Sequence, residues 1–172
     1  MQFTIRGIFG DDWAEYRAIR LEMLRDTPSA YSESLDSALR LSDDAWRTRA
    51  EAAPAGVARE PAGSARFAAI ASDGRWVGSM SGYVDGDDGP VLVGVYVAPD
   101  FRGDAVGVTT PLLNAVEDWA RGHSRTLRLE VHESNARAIA SYTKRGYRFT
   151  GRSTPYALDP TERELEMVKD LD

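Results

Sequence analysis

Apolar side chains along this chain recur with two periods, and the switches between them mark out its elements. Residues 2 to 8 alternate apolar and polar positions as a strand does. Trp13, Tyr16, Ile19, Met23 and Leu24 then share one face of a helix. A second helical stretch begins at Ser42 and runs from Asp43 to Ala53, and residues 54 to 64, rich in Pro, Gly and Ala, read as an irregular connection. Residues 65 to 72 and 76 to 84 are apolar runs joined through Ser72-Asp73-Gly74-Arg75, and Asp-Gly between two such runs predicts a hairpin. A third strand covers Val91 to Val97. From Thr110 the period lengthens again: Leu112, Leu113, Val116, Trp119 and Ala120 form a helical face, with Pro111 suited to the first helical position and Gly122 to the exit. Residues 126 to 131 alternate as a strand, Asn135 caps a short helix ending at Gly146, and closing strands fill 147 to 154 and 164 to 170.

The order is βαα, three strands in meander, then αβαββ, which predicts about seven strands and about four helices. Hairpins together with a crossover imply an α+β (mixed α/β) architecture around one mixed, largely antiparallel sheet. A length of 172 residues suits a single domain spanning 1 to 172.

Composition narrows the chemistry more than the fold. Hydrophobic residues make up 42% and charged residues 28%, an ordinary globular balance. With no cysteine, thiolate nucleophiles and Cys-ligated zinc are excluded, so any thiol chemistry belongs to a ligand. His123 and His132 make a weak metal case without a third spaced ligand, and no metal is expected. Asp85 to Pro90 lacks the alternating ligands and distant Glu of a calcium loop and reads as a turn. The net charge of −6 has the wrong sign for general attraction to nucleic acid or anionic membrane. Neither a basic-then-apolar leader nor a run of about 18 apolar residues is visible, so a cytoplasmic location is the default expectation. Trp13, Trp46, Trp76 and Trp119 are dispersed and read as packing residues.

Two segments carry candidate chemistry. Val95 to Thr110 runs from a strand through a glycine-containing loop into a helix start, a junction whose free backbone N–H groups and helix dipole favour a phosphate. Arg102 adds a guanidinium, Gly103 and Gly107 allow close backbone approach, and Pro99 would end or splay the strand. Taken alone, the same segment also reads as an ordinary strand-to-helix turn. The second segment, Leu127 to Tyr147, places Glu130 away from the face of Leu127, Leu129 and Val131, and puts Asn135 and Tyr142 on the following helix.

Together the two segments resemble the GNAT acetyltransferase superfamily. Its cofactor loop, Q/R-x-x-G-x-G/A after a strand ending V-x-P, is followed by N-x-x-A-x-x-x-Y-x-x-x-G-F/Y, matched here at Asn135, Ala138, Tyr142, Gly146 and Tyr147. The resemblance covers roughly residues 76 to 150. Within the family, Leu-Glu-Val before the Asn-to-Tyr helix is similar to ribosomal-protein alanine acetyltransferases. The loop departs from the pattern: it is about two residues longer and fits in two imperfect registers. From Arg102, Ala105 stands where Gly is expected; from Asp104, Asp and Thr109 replace the preferred residues. Either register leaves Asp104 near a pyrophosphate that its charge would repel.

The resemblance implies acetyl-CoA as co-substrate, with Val95, Val97, Arg102, Gly103, Ala105, Gly107, Val108, Thr109 and Asn135 as cofactor-binding positions. It implies Glu130 as base and Tyr142 as acid in direct, sequential transfer to the primary amine of a small molecule, peptide or protein. Tyr31 and Glu33 would border the acceptor site, because this region covers the cleft in the family. Dimerisation is common there, which leaves a homodimer open. The altered loop keeps a second reading alongside, a non-catalytic acyl-CoA-binding or degenerate GNAT-like module.

Overall fold

The computed structural model describes residues 2–51, 63–103 and 107–172. Among these, seven strands form one sheet in the order β1-β2-β3-β4-β5-β7-β6. In chain order the elements are β1 (Phe3–Gly7), α1 (Trp13–Asp26), α2 (Leu35–Leu39), α3 (Asp43–Glu51), β2 (Ser64–Ala71), β3 (Trp76–Val84), β4 (Pro90–Val97), α4 (Thr109–Arg121), β5 (Thr126–His132), α5 (Ala136–Lys144), β6 (Arg148–Pro155) and β7 (Arg163–Asp170). Every neighbouring pair is antiparallel except β4 with β5, which α4 connects as a crossover.

The expected α+β architecture is therefore present, with one helix more than the four expected. The addition is α2, a single turn whose Ser34 side chain accepts from the Ser37 N–H and which is too short for periodicity to reveal. The stretch expected as a loop over 54 to 64 lies outside the described residues up to 62, and Ser64 already belongs to β2. Helix α4 starts at Thr109, so Pro111 is its third residue and not its first. Gly122 closes that helix in a right-handed conformation, φ −68°, so the exit makes no use of glycine's left-handed freedom.

Odd and even residues of β3 face opposite helix layers. A Cβ on Gly82 would stand 2.3 Å from the Trp119 ring and one on Gly78 2.8 Å from Leu112, so α4 packs directly on the even positions. Leu112, Leu113, Val116 and Ala120 are buried at that contact, each large apolar side chain contributing roughly 1.5–3 kcal/mol. Ser79, Ser81 and Tyr83, at odd positions, open onto a cavity on the other face, bordered by α1 and the chain around α2. On β5, Leu127, Leu129 and Val131 are buried while Glu130 is exposed. No helix among the described residues is long and apolar enough to cross a membrane.

Candidate functional site

Strands β4 and β5 pair only at Val91 with Arg128 and Leu92 with Leu129. Beyond Leu92 they separate, and the cause is local. The β3–β4 register shifts between Ser79 and Ser81, leaving Gly94 and Val95 opposite Met80, and Gly94 takes φ +60°. This is a β-bulge with glycine at the left-handed position, which bends β4 away from its parallel neighbour. Pro99 does not cause the splay. It opens the short turn Pro99–Phe101 after the strand has ended, several residues later.

The opening exposes the edge of β4. The Ala98 N–H donates to the Val77 carbonyl at 2.9 Å, so the amide of Val97, one residue earlier, turns away from β3 into the gap. The Val95 carbonyl accepts the Tyr31 hydroxyl at 2.8 Å, and the Val97 carbonyl accepts Arg102 Nε at 2.6 Å. Arg102 also donates to Asp26 at the end of α1, so its guanidinium braces the loop against that helix. The Asp26 carboxyl is held below its ordinary range: burial opposes the shift, and the Arg102 and Thr27 hydrogen bonds, with the charges of Arg102 and Arg137, outweigh it.

The loop beyond Arg102 turns on two left-handed glycines, Gly103 at φ +94° and Gly107 at φ +73°. The Gly107 N–H donates to the Gly103 carbonyl at 3.2 Å, and a Cβ on Gly103 would meet nothing within 4 Å among the described residues. Val108 and Thr109 then begin α4 with no side-chain cap and no acidic residue in the first turn. A helix N-terminus with no side-chain cap and no acidic residue in its first turn suits a phosphate. Asp104, Ala105 and Val106 lie outside the described residues, so the expectations placed on Asp104 and Ala105 fall there.

Across the gap stands α5. Asn135 caps it, its Oδ1 accepting the Ala138 N–H at 3.1 Å. The helix is strongly amphipathic in sequence, yet Ala138, Ile139 and Tyr142 are only half-buried. Tyr142 meets Tyr147 edge to face at 5.6 Å between ring centres. Burial pushes the Tyr142 phenol well above its ordinary range, so it holds its proton firmly. Burial does the same to Tyr31, and Tyr142 and Tyr96 stand near enough to Tyr31 to act on it electrostatically.

Glu130 lines the cavity of about 710 Å³ that opens beside β4, together with Tyr31, Glu33, Tyr83 and Glu164. Its Oε1 accepts the Thr154 hydroxyl at 3.3 Å. The Glu164 carboxyl is raised, by burial first and by the charge of Glu130 second. Glu33 is engaged by Arg20 at 3.0 Å and Arg49 at 2.7 Å. Sequence reasoning named Glu130, Tyr31 and Glu33 at this cavity. It missed Arg20, Arg49, Arg66 and Glu164. A signal existed for Arg66, which interrupts the apolar run Ala65 to Ala71 and is nevertheless buried. Among the described residues no group of three or more His, Cys, Asp or Glu side chains is placed to hold a metal ion.

Comparison with known proteins agrees with this geometry. The model of the acetyltransferase (GNAT) family matches residues 18–147. The protein YdhI of Bacillus subtilis strain 168, described as uncharacterized, is 33% identical over 84 residues, 48% of this chain and 49% of YdhI, so the match spans about half of that protein. Among solved structures, nourseothricin acetyltransferase is 28% identical with a TM-score of 0.58, over 67% of this chain and 69% of that one. The PaiA N-acetyltransferase of Thermoplasma acidophilum, solved with coenzyme A, has a TM-score of 0.70 at 19% identity over 99% of each chain, a likeness of fold.

Proposed function

This chain belongs to the acetyltransferase (GNAT) family, and from that premise we propose that it is one domain catalysing acetyl-CoA-dependent N-acetylation of a primary amine by direct transfer. The observation that carries the reading is the opening between β4 and β5. It leaves β4 without a strand neighbour at Val95 and Val97, with the Val97 N–H facing the gap, and leads to the glycine loop and the uncapped start of α4. An extended pantetheine arm adds to such an edge as a further strand would. The backbone at Gly103, Val108 and Thr109 offers N–H donors to the pyrophosphate, and Gly107, whose N–H is held by the Gly103 carbonyl, shapes the loop around it. Arg102, fixed by Val97 and Asp26, contributes positive charge close to it. Asn135 holds the first turn of α5 against the other side of the opening.

Acetyl-CoA supplies the activated acyl group. A C–N bond forms, the C–S bond breaks, and the amine loses a proton while the departing thiolate gains one. An alkyl ammonium has a pKa of about 10, so a base must take its proton before attack. Glu130 fits that role: it is exposed to the cavity, and its one hydrogen-bond partner among the described residues is the Thr154 hydroxyl. The Val97 amide, turned into the gap, fits the oxyanion that develops on the carbonyl. Tyr142 keeps its proton above the ordinary phenol range, so it fits the donor to a thiolate whose conjugate acid has a pKa of about 8.5.

Isothermal titration of acetyl-CoA tests the cofactor half of the reading. One-site binding at micromolar concentration supports it. Absence of heat would move the chain to the alternative, a module that has lost its ligand through the altered loop.

A further inference from the structure

Resting on the acetyltransfer reading, we propose that the acceptor is an amine whose molecule also carries a carboxylate several ångströms away, bound by Arg66 with Arg20 and Arg49 at the end of the cavity opposite Glu130. The cavity, about 710 Å³, is of a size that holds a small molecule, and its charges are sorted by sign. At one end Glu130 on β5 and Glu164 on the adjacent β7 face the same space. The repulsion between them is relieved by a cation, which an acceptor ammonium provides.

At the other end three guanidiniums meet one carboxylate. Arg20 and Arg49 share Glu33, using one carboxylate oxygen each. Arg66, only 7% exposed, has no ion pair among the described residues. Its Nη1 donates to the carbonyls of Arg49 at 2.6 Å and Ala50 at 3.1 Å, and its guanidinium lies 4.9 Å from the centre of the Tyr16 ring. Burial lowers its pKa, Tyr16 opposes that shift, and the charges of Arg20 and Arg49 add to the lowering, which reports a site of excess positive charge. A buried cation without a carboxylate is costly to keep, and an anionic ligand group removes the cost.

The spacing sets the kind of molecule. Arg66 stands on β2 and Glu130 on β5, three strand intervals apart, or roughly 14 Å between backbones. A hydrogen bond of about 2.9 Å at each end leaves a span that two or three extended residues cover at about 3.3–3.6 Å each. A di- or tripeptide with a free C-terminus fits, as does an ω-amino acid of similar length. The amine and carboxylate of a simple α-amino acid, on one carbon, cannot bridge it. A polyamine would place its second cation against the arginines. Between the ends, the Ser79 and Ser81 side chains offer hydroxyls to the linking amide groups.

The test compares initial rates of acetylation on trialanine, trialanine amide and 6-aminohexanoate. The free acids are expected to exceed the amide by at least about tenfold in kcat/KM, mainly through KM, and the relative rates of trialanine and 6-aminohexanoate tell a peptide from a non-peptide source. That ratio should fall towards one in Arg66→Met and, should that variant not fold, in Arg20→Gln. Equal rates on acid and amide would overturn the proposal while leaving acetyl transfer intact. If no amine is turned over, titration of trialanine and its amide into the protein decides: selective binding of the acid keeps the site and removes the transfer reading, and equal or absent binding removes both.

Discussion

The Tyr31 hydroxyl donates to the Val95 carbonyl at 2.8 Å, joining residues 64 apart in sequence. The Tyr156 hydroxyl in turn donates to the Tyr31 carbonyl at 2.9 Å. The connection after α1 is thus tied on one side to the splayed part of β4 and on the other to the end of β6. Tyr31→Phe removes the first tie and leaves the Val95 carbonyl without its partner. The expected loss is about 1–2 kcal/mol of stability, read by denaturant unfolding, with a raised KM for acetyl-CoA. An unchanged KM would separate this tie from the cofactor site.

Glu130→Gln keeps size and removes the carboxylate proposed as the base. Turnover should fall by roughly 10²–10⁴-fold at neutral pH, while the dissociation constant for acetyl-CoA stays put. Tyr142→Phe should lower kcat through slower loss of the thiolate, again with cofactor affinity retained. Pre-steady-state and equilibrium titrations on the two variants separate chemistry from binding.

Gly107 holds φ +73°, a conformation that a β-branched residue adopts only under strain. Gly107→Val should cost of order 1–3 kcal/mol in this loop and abolish measurable acetyl-CoA binding. The thermal midpoint reports the first effect and calorimetry the second.

Stability should fall at both pH extremes, for opposite reasons. Tyr31 is buried and Tyr142 half-buried, and removal from water raises both phenols, so above about pH 10 the unfolded chain loses these protons first and the folded state is penalised. The Asp12 carboxyl is held low by the Arg6 hydrogen bond, against burial, and by the Phe9 N–H. Its contribution is present above the unfolded value of about 3.9 and disappears as pH falls through the lower folded value. Thermal midpoints measured from pH 3 to 11 should describe a plateau with two shoulders. Arg6→Gln should flatten the acid one and Tyr142→Phe the alkaline one.

Much of this molecule was legible in its sequence because its elements are strongly patterned. Asp73-Gly74 turned out to join β2 and β3 with Gly74 at φ +86°, and Asn135 caps α5 with its own side chain. The acetyltransferase family resemblance rested on the Val95 to Thr110 loop together with the segment from Asn135 to Tyr147, and the family match over residues 18–147 spans both. Pro99 was expected to end or splay β4, and the strand does end at Val97, two residues before it, whereas the splay starts earlier, at a bulge at Gly94 that depends on a register shift against Met80 that no local pattern encodes. Arg20, Arg49 and Arg66 come from α1, α3 and β2, and only the folded sheet brings them around one cavity. The engagement of Arg102 with Asp26 is likewise a tertiary contact, between residues 76 apart.

The most direct test of the central claim is the initial-velocity pattern of coenzyme A release, with acetyl-CoA and an amine acceptor varied against each other. Direct transfer within one complex predicts intersecting double-reciprocal lines and acetylated amine in equal amount to the thiol released. Parallel lines, or thiol release without an acetylated amine, would contradict it.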